Sequence, residues 1–170
     1  MAQDDAIVRL ARQIDAARKA DRFVVNEADV DDLRRRGASE LHRICADFVH
    51  SVNRNLAADT VELSPAAFAF RERGANLIQV ASEGRALQLV IQATAELFST
   101  EKFLVPYVLD GEIRAYNQKM LERFDIRTRS IFYCVSEVTW GWRFFDWRTR
   151  HTGPVDGELL AKLMEPLFGA

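Results

Sequence analysis

His42, Cys45 and His50 fall within nine residues of one another, and histidine and cysteine are the usual ligands of zinc. A zinc site needs ligands that converge on one point, usually four of them. At about 100° per helical residue, His50 lies about 80° round from His42 and over two turns along. Cys45 falls in an apolar seam with Leu41, Ile44, Phe48, Val52 and Leu56. The trio therefore reads as a core-facing helix whose histidines lie on the surface, with His50 exposed. No metal ligand is assigned.

Arg34-Arg35-Arg36 has the charge to grip phosphate. The same residues complement the C-terminal dipole of a helix over 27–36 that starts with Glu27, Asp29, Asp31 and Asp32. A solvated helix end accounts for them. Asp110, Glu112 and Arg114 have the residue types of a nuclease's metal-binding carboxylate cluster. Such a cluster needs carboxylates on one face of neighbouring strands, plus a positioned lysine. Asp110-Gly111 reads instead as a hairpin turn, and Glu112 and Arg114 as alternate residues on an exposed strand face. There is no Gly-rich phosphate loop and no Gly-x-Ser-x-Gly elbow. Ser136 and Glu137 have no context that marks them as nucleophile and base. Neither a catalytic residue nor a cofactor is assigned.

The segment 124–151 stands apart. It holds eight of the seventeen aromatic residues, including all three tryptophans, interleaved with Arg127, Arg129, Arg143, Arg148 and Arg150. In a strand over 142–148, period two puts Trp142, Phe144, Asp146 and Arg148 on one face and Arg143, Phe145 and Trp147 on the other. Aromatics on both faces suit a strand buried twice, or one with a core face and a binding face. Aromatics and arginines anchor protein interfaces, and they also stack on unpaired bases and hold phosphates. Trp142, Arg143, Trp147, Arg148 and Arg150 are the candidate binding residues.

The elements that must position these groups follow from the hydrophobic period. Ile7, Leu10, Ala11, Ile14 and Ala17 predict a helix over 4–21, capped by Asp4 or Asp5. Phe23-Val24-Val25 is an apolar connector, and Asn26 caps the next helix. Gly37 reads as a helix stop, with Ser39 capping a third helix over 40–57. One helix from 27 to 57, kinked near Gly37, is the competing reading. From residue 60 the period becomes two. Strands are expected at 60–63, 77–82, 85–93, 103–109, 112–116, 129–138 and 142–148. Turns are expected at Glu83-Gly84, Asp110-Gly111 and Trp140-Gly141. Residues 117–124 favour a short helical connector. Thr152-Gly153-Pro154 breaks the last strand, and Asp156 caps a closing helix over 157–165.

These elements define an α+β domain, 1–170, with a helical part over 1–58 and a sheet part over 59–170. N-terminal amphipathic helices cover a mostly antiparallel sheet, closed by a C-terminal helix. The formal charge of −2 demands neither nucleic acid nor an acidic membrane. Two distant cysteines make no disulfide framework, though a Cys45–Cys134 bridge stays open on the sequence alone. The N-terminus lacks the features of a signal peptide, and no apolar run approaches a membrane span. The expected setting is a reducing cytoplasm. The expected function is a non-catalytic binding or adaptor domain that contacts a protein partner or self-associates as a homodimer. Two alternatives stay open: a nucleic-acid-binding protein using the hairpin 129–150, and an enzyme or small-ligand binder with a pocket on a curved sheet.

Overall fold

In the computed structural model, which describes residues 2–21 and 27–169, the chain is α+β. Helix α1 spans Ala2–Asp21 and α2 spans Glu27–Arg54. Seven strands follow: β1 (Glu62–Ser64), β2 (Asn76–Ser82), β3 (Arg85–Ala93), β4 (Tyr107–Tyr116), β5 (Arg127–Val135), β6 (Trp140–Phe145) and β7 (Thr152–Pro154). A short helix α3 (Gln118–Glu122) joins β4 to β5, and α4 (Gly157–Met164) closes the fold. The strands form one antiparallel sheet in sequence order, β1 to β7. The connector Phe23–Val25 and the cap Asn26 lie outside the described residues.

The apolar seam of α2 does what its spacing implies as far as Val52, while Leu56, past the helix end at Arg54, is exposed. Leu41, Cys45 and Phe48 are buried, Ile44 and Val52 are half-buried, and His50 is exposed. Together with Val30, Leu33 and Ala38 they pack on the inner face of the sheet, against Ile78, Val80, Leu87, Leu89, Leu109, Ile113, Ile131 and Tyr133. Leu159, Leu160, Leu163 and Met164 of α4 complete this core. Asp156 caps α4, its carboxylate accepting from the Leu159 amide at 2.9 Å. Glu83 and Gly84 both have positive φ, 49° and 79°, and make the tight β2–β3 turn.

Two glycines correct the sequence reading. Gly37 does not end a helix, and Ser39 caps nothing: α2 runs unbroken through both. A Cβ at Gly37 would lie 2.5 Å from the Tyr133 ring. The residue is small because the sheet is close. Asp110-Gly111 is likewise not a turn. It sits inside β4, Asp110 opposite Gln92 and Phe132, Gly111 opposite Ile91 and Ile131. A Cβ on Gly111 would run into the Val90 carbonyl of the neighbouring strand. The segment 103–106 is accordingly no strand; it belongs to a long β3–β4 connection. The β5–β6 turn is also displaced from Trp140-Gly141 to 136–139, where the Ser136 hydroxyl accepts from the amides of Val138 and Thr139.

The β3–β4 connection covers part of the outer face. Phe103 stacks on Phe132 with centroids 4.9 Å apart, and Val105 and Phe145 join Tyr107, Phe132 and Cys134 in a second, smaller core. Arg34 holds the start of this connection. Its guanidinium donates to the carbonyls of Val108, Thr94 and Glu96 at 3.2, 3.0 and 2.8 Å. The arginine run is thus not a uniform solvated end: its first residue, Arg34, is a structural staple, while Arg35 and Arg36 pair at the surface with Glu72 and Asp32.

Two substitutions test these placements. Gly111→Ala is expected to lower the unfolding free energy by about 3 kcal/mol, because the obstacle is backbone and cannot move aside. In a two-residue turn the same change would cost only about 1–2 kcal/mol. Arg34→Lys is expected to cost about 2–3 kcal/mol, since an ammonium cannot reproduce a planar fork that reaches three carbonyls. Urea denaturation at neutral pH measures both.

Candidate interaction surface

The aromatic–arginine hairpin is real as β5–β6, but its strand ends early. β6 stops at Phe145, and Asp146 begins a tight loop. The Asp146 amide donates to the His151 carbonyl at 2.9 Å, and the Arg150 amide to the Asp146 carbonyl at 2.7 Å. The buried Asp146 carboxylate accepts from the Arg148 amide at 3.0 Å and lies 3.5 Å from the Arg129 guanidinium. Burial works against its charge, but the Arg148 amide, the Thr149 hydroxyl and amide, and Arg129 outweigh that and hold its pKa below the ordinary carboxylate range. Arg150 closes the loop at φ 58°, in the left-handed region that side chains disfavour.

This knot decides where the candidate residues go. Trp147, 60% exposed, and the exposed Arg148 and Arg150 project together from the loop. The indole of Trp147 is held in place: its Nε1 donates to the Ser130 hydroxyl at 2.7 Å, and its ring meets Phe145 edge-on at 4.6 Å. Trp142 is elsewhere. It is 4% exposed, in the main core, and its Nε1 donates to the Gly37 carbonyl at 2.7 Å. No surface partner can reach it while the protein is folded. Arg143 is half-buried on the outer face, opposite Phe132 and Pro154, and its buried Nε has no hydrogen-bond partner. The period-two reading failed beyond Phe145 because a turn resets which way side chains point.

Trp140 is an exposed tryptophan that sequence reasoning did not single out. It is 52% exposed and stands on the helix side of the sheet, next to Tyr133. Arg36, Ser39, Glu40 and Arg43 of α2 share its shallow groove of about 490 Å³. The two exposed tryptophans lie at opposite ends of β6 and do not form one patch.

The other chemical candidates are placed as follows. His42 Nε2 hydrogen-bonds with the Pro65 carbonyl at 2.8 Å, and its ring stacks on Phe68. Both cysteines are free and buried, and burial pushes each thiol pKa up to about 12. Asp110 and Glu112 do share the outer face of β4. Lys102 Nζ sits 3.0 Å from Asp110, and Arg114 pairs with Glu112, so each carboxylate has its own cation. Among the described residues, no three potential metal ligands gather. A cleft of about 700 Å³ opens between β6–β7 and α4, where Arg129 pairs with Asp146 and Lys162 with Glu158. No described helix is long and apolar enough to cross a membrane. No family model matches the chain, and no curated protein or solved structure is significantly similar to it.

The loop makes a pH prediction. Asp146→Ala is expected to cost about 1–3 kcal/mol at neutral pH, through acceptors lost inside the loop. Asp146→Asn keeps an acceptor for the Arg148 amide but not the charge facing Arg129, so its cost is smaller. The folded pKa is depressed, so the charge's contribution is complete above the unfolded value of about 4 and is lost as pH falls through the folded one. Urea titrations of wild type and Asp146→Asn should therefore differ at pH 7 and converge at low pH.

Proposed function

We propose that this chain is a non-catalytic binding domain that acts through protein–protein contact, and that the loop Trp147–Arg150 is its anchor. One observation carries the reading: Trp147 is exposed yet held in a single orientation, by Ser130 on its indole nitrogen and Phe145 on its ring. An exposed aromatic that is already ordered gives up little side-chain entropy on binding, which is what makes a good interface anchor. Arginines at 148 and 150 supply the partly polar surround typical of such anchors. Trp142, which the sequence reading grouped with this site, is engaged in the core by Gly37 and Tyr133 and belongs to no contact surface.

The same residues define the nucleic-acid alternative, and a titration separates the two. Phosphate contacts by Arg148 and Arg150 would make affinity for single strands fall steeply as salt rises, because each contact releases counterions. Trp147→Ala would then cost about 1–3 kcal/mol through lost stacking.

The protein-contact reading expects wild type and Trp147→Ala to have the same circular dichroism and melting transition to within a few degrees. It also expects a photo-reactive residue placed at the exposed Thr128, two residues from Ser130 on the same face of β5, to cross-link a specific partner in its native extract, with at least a tenfold loss of that product in Trp147→Ala. A cross-linking pattern that Trp147→Ala leaves unchanged rules out this loop as the anchor. Micromolar, salt-sensitive binding to a single-stranded oligonucleotide replaces the protein reading with the nucleic-acid one.

A further inference from the structure

We propose that α1 pairs antiparallel with α1 of a second copy of this chain, so that the protein is a twofold homodimer. The starting observation is a helix facing the wrong way for a monomer. Ile7, Leu10 and Ile14 are 58%, 56% and 46% exposed, and Ala17 continues the same line. The opposite side of α1 carries one apolar residue, Val8, 47% exposed, with Arg12, Asp15 and Ala16, and the last three line a cleft with Val105, Pro106 and Thr139 of the sheet domain. A surface helix of a solitary protein buries its apolar stripe and shows its polar face to water. Here the polar and small residues meet the body, and the apolar stripe looks outward.

Most of a protein helix's stability comes from packing its apolar face, and α1 packs little against the rest of the chain, so the stripe needs a cover. Its spacing indicates what kind. Ile7 and Ile14 fall at a positions and Leu10 and Ala17 at d positions, which is two heptads of a coiled-coil seam. Ala6 and Ala11 flank the seam with small side chains. A partner with the matching pattern is another α1.

Charge sets the direction. In the sequence, Asp4 and Asp5 precede the stripe, while Arg18 and Lys19 follow it. A parallel pair would put acid on acid and base on base. An antiparallel pair puts the acidic start of each helix beside the basic end of the other, and it also opposes the two helix dipoles. The register in which a positions meet d positions sets residue 7 against residue 17 of the other copy, and residue 10 against residue 14. That register maps onto itself when the copies are exchanged, as a closed twofold contact requires. The pairing uses no residue of the Trp147 loop and stands or falls without it.

Sedimentation of the full chain and cysteine cross-linking test the proposal together. Wild type is expected to be dimeric at tens of micromolar. Leu10→Asp is expected to weaken the dimer at least ~100-fold, because the twofold places two copies of that leucine in the seam. For direction, Ile7→Cys and Ala17→Cys chains are mixed and oxidised; Cys45 and Cys134 are buried and do not compete. The mixed 7–17 disulfide is expected to dominate, whether or not Leu10→Asp also loosens α1. A dominant 7–7 product means parallel helices and overturns the proposal. So does a wild type that stays monomeric throughout, or a dimer that Leu10→Asp leaves intact.

Discussion

Everything else in this fold depends on how closely α2 can approach the sheet at Gly37. With no side chain there, the Tyr133 ring lies over the helix backbone, and the indole of Trp142 reaches the Gly37 carbonyl at 2.7 Å. Two large aromatics from adjacent strands thus grip one turn of the helix. That contact sets the height of α2 above β5 and β6. It also brings Arg34, one turn earlier, within reach of the carbonyls at Thr94, Glu96 and Val108. Without a close helix the arginine would fall short, and the β3–β4 connection would lose the cation that orders its start.

From that staple the connection crosses to the other side of the sheet. An antiparallel sheet can leave one face to water if that face is largely polar, and half of this one is mixed: Gln79 bonds with Gln88 and Glu112 with Arg114, with Leu77 and Val90 beside them. The other half is aromatic, with Phe132 and Phe145. On sequence grounds, aromatics on both faces of β6 left two readings open, a strand buried on both sides or one with a core face and a binding face. The segment 99–106, read as the end of a loop and the start of a strand, covers the second face, with Phe103 on Phe132 and Lys102 on Asp110. What stays uncovered is narrower than the sequence implied: the loop after Phe145, where Asp146 turns the chain and leaves Trp147 outside.

The parts of the fold that were legible in the sequence are those whose cause is local. The seam of α2, the Glu83-Gly84 turn, the cap at Asp156 and the strands β2 and β3 each depend on neighbours within a few residues. Two of the misread parts share one ambiguity. A glycine can mean positive φ or close approach, and only the second depends on a strand or ring far away in the chain. Gly37 beside three arginines looks like a helix end, and Gly111 after an aspartate looks like a turn, but both are small because something distant touches them. The candidate site was legible to the same extent. Arg148, Arg150 and Trp147 stand in the open as grouped, whereas Trp142 went to the core because alternation says which residues share a face but not which face the helices cover. The exposure of Trp140 had no signal beyond its being a tryptophan near a turn.

The two proposed contact surfaces obey different physics, and that difference bears on how they would work together. The α1 stripe is aliphatic, repetitive and charge-complementary to itself, which favours a like partner. The Trp147 loop is a single ordered aromatic among arginines, and its one acid, Asp146, is buried and already taken by Arg129 and the Arg148 amide, so nothing in it satisfies a second copy of itself, which favours an unlike partner. If the first makes a twofold pair, each dimer carries the second twice. A partner with one binding element would gain nothing from this. A partner with two elements, or one that is itself dimeric, would make its second contact at an effective concentration set by the tether, in the millimolar range for short connections. An anchor as small as one loop is weak alone, since a stable interface normally buries about 1,200–2,000 Å². Pairing through α1 would let a weak loop discriminate for paired partners without any enlargement of the loop itself.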